Sequence, residues 1–112
     1  MFGAMKRYGM VLKLRPEAEE EYKRAHAAVW PEVLAMITAC NIRNYSIYLK
    51  DGFLFSYFEY HGDDFAADMH KMAADPHTQA WWKLTDPCQS PLPDAAAKGK
   101  IWSDAEEVFH TD

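Results

Sequence analysis

Asp51-Gly52, with Lys50 ahead of it, separates two runs rich in aromatic and branched residues, Asn44 to Leu49 and Phe53 to Tyr60. Asp-Gly suits a two-residue hairpin turn because both central positions need positive φ, so the runs are read as neighbouring antiparallel strands. Successive side chains of a strand point to opposite faces, and here both parities are large: Tyr45, Ile47 and Leu49 against Tyr48, then Phe53, Phe55 and Tyr57 against Leu54 and Phe58. The hairpin therefore has two apolar faces to cover. A chain of 112 residues fits one domain, with helices enough for one face only. The other face is expected to be buried by a second copy or to enclose a ligand.

The rest of the chain supplies the covering elements. Tyr8, Met10, Leu12 and Leu14 alternate, which predicts a strand from Lys6 to Leu14. Pro16 and the acidic run Glu17 to Glu21 open a helix, since a preset φ and negative charge both favour a helix N-terminus. Ala18, Tyr22, His26 and Val29 share one face of it. Pro31 interrupts, Glu32 to Ala39 resumes the helical spacing, and Asn41 is a stop signal. After the hairpin, Asp63 is expected to cap a helix carrying Phe65, Met69 and Met72; Pro76 ends it and His77 to Leu84 forms another. Residues 87–100, with three prolines and the run Ala95 to Lys100, read as an irregular excursion, and Glu106 to His110 as a last strand. The order β, α, β, β, α, β is that of an α+β, ferredoxin-like split βαβ unit, and two copies joined through the open face would make a dimeric α/β barrel. Because Met5-Lys6-Arg7 is itself a start, residues 1–4 are read as an upstream extension or cloning remnant, and 5–112 as a single ferredoxin-like domain.

Several function classes are set aside. Twelve Lys and Arg against 17 Asp and Glu leave a net charge of -5, without the clustered cations a nucleic-acid partner requires. No apolar run reaches the roughly 18 residues of a membrane span, and the N-terminus has no signal-peptide pattern. Cys40 and Cys88 have no Cys or His at ligand spacing, which reads as two free thiols in a reducing cytoplasm. His61, His70, His77 and His110 are scattered, and no HExxH, CxxC, GxSxG, P-loop or GxGxxG occurs. No metal site is expected.

Two pairs remain. Tyr22 and His26, four apart on a helix, project about 40° from one another; imidazole gives and takes protons near neutrality, and a phenol bonds hydroxyl groups. Such a pair serves equally well as core. Trp81 and Trp82, adjacent in a helix, diverge by about 100° and cannot both enter one core stripe. One of them lines a ligand site or a subunit contact.

The chain from Tyr8 to His110 resembles the L-rhamnose mutarotase family. The resemblance rests on Pro16-Glu17-Ala18, Glu20-Glu21-Tyr22-Lys23-Arg24-Ala25-His26, Val29-Trp30-Pro31-Glu32, Asn44-Tyr45-Ser46-Ile47-Tyr48-Leu49, Trp81-Trp82 and Glu106-Glu107-Val108-Phe109-His110, in that order. Asp86 to Pro91 and the Ala/Lys/Gly run after it depart from the family's pattern. The resemblance implies a homodimeric isomerase that interconverts the α and β anomers of L-rhamnose or a related 6-deoxy sugar without a cofactor. By the same resemblance His26 would be the proton donor, Tyr22 and Tyr45 would bind the sugar, and Trp81 and Trp82 would wall the pocket. The second acid/base group is left open among a partner-subunit side chain, a carboxylate such as Glu107 and a water. The rival readings are a monooxygenase or haem-degrading enzyme of the same barrel architecture, and a sugar-binding module without turnover.

Overall fold

The computed structural model describes residues 5–112, so the expectation for residues 1–4 lies outside the described residues. Strand β1 (Lys6–Leu14) leads through a 3-10 turn over Pro16–Ala18 into α1 (Glu19–His26) and α2 (Pro31–Ala39). The hairpin β2 (Ile42–Lys50) and β3 (Phe53–Tyr60) follows, then α3 (Phe65–Ala74) and α4 (Pro76–Thr85). A 3-10 turn over Asp86–Cys88, a short β4 (Gln89–Ser90), α5 (Pro93–Ala97) and β5 (Ser103–Ala105) complete the described elements. Pro31 does not kink a continuous rod. It occupies the first turn of α2, where its missing N–H costs nothing.

The sheet is antiparallel in the order β2-β3-β1-β4, with β5 also on β1. That is the ferredoxin-like order, with the fourth strand in two pieces along the free edge of β1. Asp51 and Gly52 both have positive φ, 53° and 79°, as the hairpin turn demands. Asn41 at φ 66° closes α2.

Three expectations need correction. Asp64, not Asp63, caps α3, accepting from the Ala67 N–H. Residues 87–100 are not wholly irregular, since they hold β4 and α5. Glu106 to His110 is not a strand: the pairing of Ser103–Ala105 along the edge of β1 ends at Ala105, opposite Gly9. Continuing that register brings Glu107 opposite Arg7, and the two are joined by side chains, with Arg7 Nε 2.6 Å from Glu107 Oε1. Val108 and Phe109, whose apolar character suggested a strand, are exposed.

Register divides the sheet cleanly. Tyr8, Met10, Leu12 and Leu14 lie opposite or beside Leu54, Ser56, Phe58 and Tyr60 on the helix-covered face. Arg7, Val11, Phe53, Phe55, Tyr57 and Glu59 lie on the open face. In β2 a bulge between Arg43 and Ser46, with Asn44 at φ 51°, inverts the alternation. Ile42 and, beyond the bulge, Ile47 and Leu49 consequently all face the helices.

One end of the open face is polar. The Glu59 carboxylate accepts from Asn44 Nδ2 at 2.7 Å, Tyr57 Oη at 2.8 Å and His61 Nε2 at 3.1 Å. These donors, Asn44 first, hold its pKa down at about 2. A carboxyl whose folded pKa is depressed contributes stability above its ordinary range and loses it as pH falls through the folded value. Glu59→Gln is therefore expected to flatten the fall in Tm between about pH 5 and about pH 2. Thermal unfolding across that range checks this, and parallel slopes for the two proteins would contradict it.

Candidate functional site

The site is built on α1. Glu19, Glu20 and Glu21 stand in its first turn and Lys23, Arg24 and His26 in its last, each sign matched to the dipole end it meets. The four-residue spacing brings Tyr22 and His26 into a stack with ring centroids 4.1 Å apart. Tyr22 is buried in the core cluster of Leu12, Leu14, Leu54 and Cys88, while His26 is half-buried. From α4, Trp81 presents an edge contact to His26 at 5.2 Å, and Trp30 meets Trp81 at 5.2 Å. The imidazole is thus held between a phenol and an indole.

His26 Nδ1 lies 2.8 Å from the Tyr22 carbonyl oxygen. A carbonyl only accepts, so Nδ1 carries the hydrogen and Nε2 is the nitrogen left for proton exchange. Beside the pair is a cavity of about 300 Å³, whose lining includes Tyr22, Lys23, His26, Ile47, Leu49 and Leu54. That is the lower end of the range for small-ligand pockets. A second hollow of about 240 Å³ lies on the other flank of α1, with Arg24, Trp30 and Trp81 in its wall.

Burial pushes the Tyr22 phenol well above its ordinary pKa, against the opposing effect of the nearby Gln89 side chain. Desolvation around its hydroxyl also raises the Tyr45 phenol, although the residue as a whole is 41% exposed. Both hydroxyls therefore stay protonated near neutral pH and act as neutral hydrogen-bonding groups. In this cluster the imidazole is the group suited to both giving and taking a proton.

The structure brings Tyr22, His26 and Trp81 into direct contact. Tyr45 sits within the β2 bulge with its ring against Phe58 at 5.6 Å and its hydroxyl near Tyr22, and it lines neither hollow. Trp82 is not brought in: it is 37% exposed, against 7% for Trp81, and it lines neither hollow. Glu107 is also elsewhere, paired with Arg7 beyond the edge of the sheet.

Gln89, near the Tyr22 phenol though lining neither hollow, was missed by sequence reasoning. It pairs with Leu14 through a strand of two residues, too short for any periodic signal, and is buried on the face that carries Leu14. Lys23 was missed as well; it borders the cavity from an exposed position while pairing with Glu19 at 3.3 Å.

A sequence profile of the family described as L-rhamnose mutarotase matches residues 7–111. L-rhamnose mutarotase of Oceanobacillus iheyensis is 33% identical over 110 residues, covering 96% of this chain and all of that one. The protein of the same name from Phocaeicola vulgatus is 34% identical with the same coverage. Among solved structures, L-rhamnose mutarotase from Formosa agariphila superposes with a TM-score of 0.74 at 23% identity, covering 96% of this chain and 99% of that one. Tetracenomycin F2 cyclase from Streptomyces glaucescens gives a TM-score of 0.65 at 17% identity, covering 96% and 97%. At these identities the structural likenesses speak to the fold alone.

Proposed function

The chain belongs to the L-rhamnose mutarotase family, and we propose that it is an isomerase interconverting the α and β anomers of L-rhamnose in the cavity beside α1, with His26 as its proton carrier. The observation that carries the assignment of His26 is its fixed tautomer, with Nδ1–H committed to the Tyr22 carbonyl oxygen and Nε2 left over. Opening a pyranose needs a proton on the ring oxygen and removal of one from the anomeric hydroxyl. Both oxygens are bonded to the same carbon, so one imidazole nitrogen can serve them in turn. Rotation about C1–C2 and reclosure by the reverse transfers give the other anomer. No oxidant or reductant enters this balance.

Tyr22 and Tyr45, held neutral, are suited to hydrogen bonds with sugar hydroxyls. Ile47, Leu49 and Leu54 give the cavity an apolar wall that fits the methyl group of a 6-deoxy sugar. Trp81 holds His26 in place from α4 while lining the second hollow. Polarimetry on freshly dissolved crystalline L-rhamnose tests the activity: the optical rotation should relax to equilibrium faster as protein is added. Sugar binding without that acceleration would favour a binding module instead.

The enzyme is further read as a homodimer. On the open sheet face Phe55 is 45% exposed and Tyr48 66%, with Val11, Phe53 and Tyr57 beside them, an apolar patch of the kind that marks an interaction surface. Closure by a two-fold axis would bury it symmetrically, with at least about 1,200 Å² of total surface. Sedimentation equilibrium is expected to give twice the 12.9 kDa of one chain. A mass of one chain at micromolar concentration would contradict this. Cys40 and Cys88, buried and free, suit a cytoplasmic setting.

A further inference from the structure

On the mutarotase reading above, we propose that Ser56 is a further substrate-binding residue, whose hydroxyl pairs with one ring hydroxyl of the sugar and sets which sugars the cavity accepts. Ser56 is 5% exposed, and its Oγ is a buried side-chain polar atom with no hydrogen-bond partner among the described residues. A buried hydroxyl without a partner is costly, and such groups in a binding protein are explained when the ligand supplies the missing bond.

Ser56 does not itself line the cavity but adjoins two residues that do. Ser56 lies in the middle of β3 on the helix-covered face, with Ile47 as its register partner on β2 and Met10 on β1. Ile47 and Leu54, the latter two residues along the same face, both line the cavity. Two clusters of buried apolar side chains, one around Leu12, Leu14, Tyr22 and Leu54 and the other around Ile42, Phe58 and Tyr60, flank Ser56 on β3 through Leu54 and Phe58. It is a polar point in an otherwise apolar floor, with Phe58, against which Tyr45 packs, as its other same-face neighbour.

The Oγ is sealed from solvent, so pairing requires a neighbouring side chain to move aside. Ile47, its cross-strand neighbour on β2, lines the cavity and is the side chain whose movement would join the two, and rotamer changes of that kind are common on binding. The apolar floor then accepts the methyl group of a 6-deoxy sugar while the serine selects a hydroxyl. A site built to bond a hydroxyl discriminates against the analogue that lacks it.

Anomer exchange is measured as a function of concentration for L-rhamnose and its 2-, 3- and 4-deoxy analogues, with wild type and Ser56→Ala. The variant is expected to raise the half-saturating concentration of rhamnose about three- to tenfold, with the maximal rate within twofold and Tm unchanged or higher. One of the three deoxy analogues is expected to bind wild type more weakly and to show no further weakening in the variant. Ser56→Cys, close in size but a weaker donor, should shift affinity in the same direction by less, and it decides the matter should the alanine variant fail to fold. A half-saturating concentration within twofold of wild type, or losses that add for all three analogues, would make Ser56 a core residue and overturn the proposal. Absence of exchange in wild type would instead overturn the mutarotase reading on which it rests.

Discussion

Glutamine at position 26 is expected to lower the rate of anomer exchange by about 10²- to 10⁴-fold, the usual contribution of a positioned general acid or base. Glutamine keeps much of the size and the hydrogen-bonding capacity of His26 and removes its ability to carry a proton. The ring stack on Tyr22 is lost with the imidazole, yet His26 is half-buried and belongs to neither buried cluster, so the variant should still fold, dimerise and bind sugar. Tyr22→Phe provides the contrast. Its phenol is held protonated by burial, so its loss removes a hydrogen bond without removing a proton carrier. That variant should weaken sugar binding by about tenfold or less, with a smaller fall in maximal rate. Exchange rates under saturating sugar separate the two effects, and a His26→Gln protein exchanging within a few-fold of wild type would move the proton carrier elsewhere.

Trp81→Ala should destabilise the fold by about 3–5 kcal/mol, as expected for truncating a large buried aromatic. Trp81 is buried and holds edge contacts with both His26 and Trp30, so its removal opens a void where α1, α2 and α4 meet. Trp82→Ala, at an exposed position outside the site's lining, should cost well under half as much. Denaturant unfolding of the two variants checks the difference, with equal losses contradicting the placement. The same pair separates the site from its surroundings: Trp81→Phe, which loosens the contact on His26, should impair anomer exchange, whereas Trp82→Phe should leave it near wild type.

Much of this arrangement was legible in the residues. The alternation Tyr8, Met10, Leu12, Leu14, the Asp51-Gly52 turn and the prolines at 16, 31 and 76 mark elements through local chemistry, and the structure places elements where those signals fall. The four-residue spacing of Tyr22 and His26 was enough to bring their rings together. What local signals do not carry is tertiary pairing. Gln89 comes near Tyr22 through a two-residue strand set by β1 rather than by its own sequence. Val108 and Phe109 look like a strand, but the pairing along β1 ends at Ala105 and leaves both exposed. The adjacency of Trp81 and Trp82 showed that they must diverge. Which of them turns inward depends on how α4 packs against α1 and α2, and no spacing rule contains that.

The central claim is that the chain catalyses anomer exchange through His26, and saturation transfer between the two anomeric protons of L-rhamnose at equilibrium tests it most directly. Irradiating one anomeric resonance should diminish the other when wild-type protein is present at catalytic concentration, and should leave it unchanged with the same amount of His26→Gln. No transfer with the folded wild-type protein, or equal transfer with both proteins, would contradict the account.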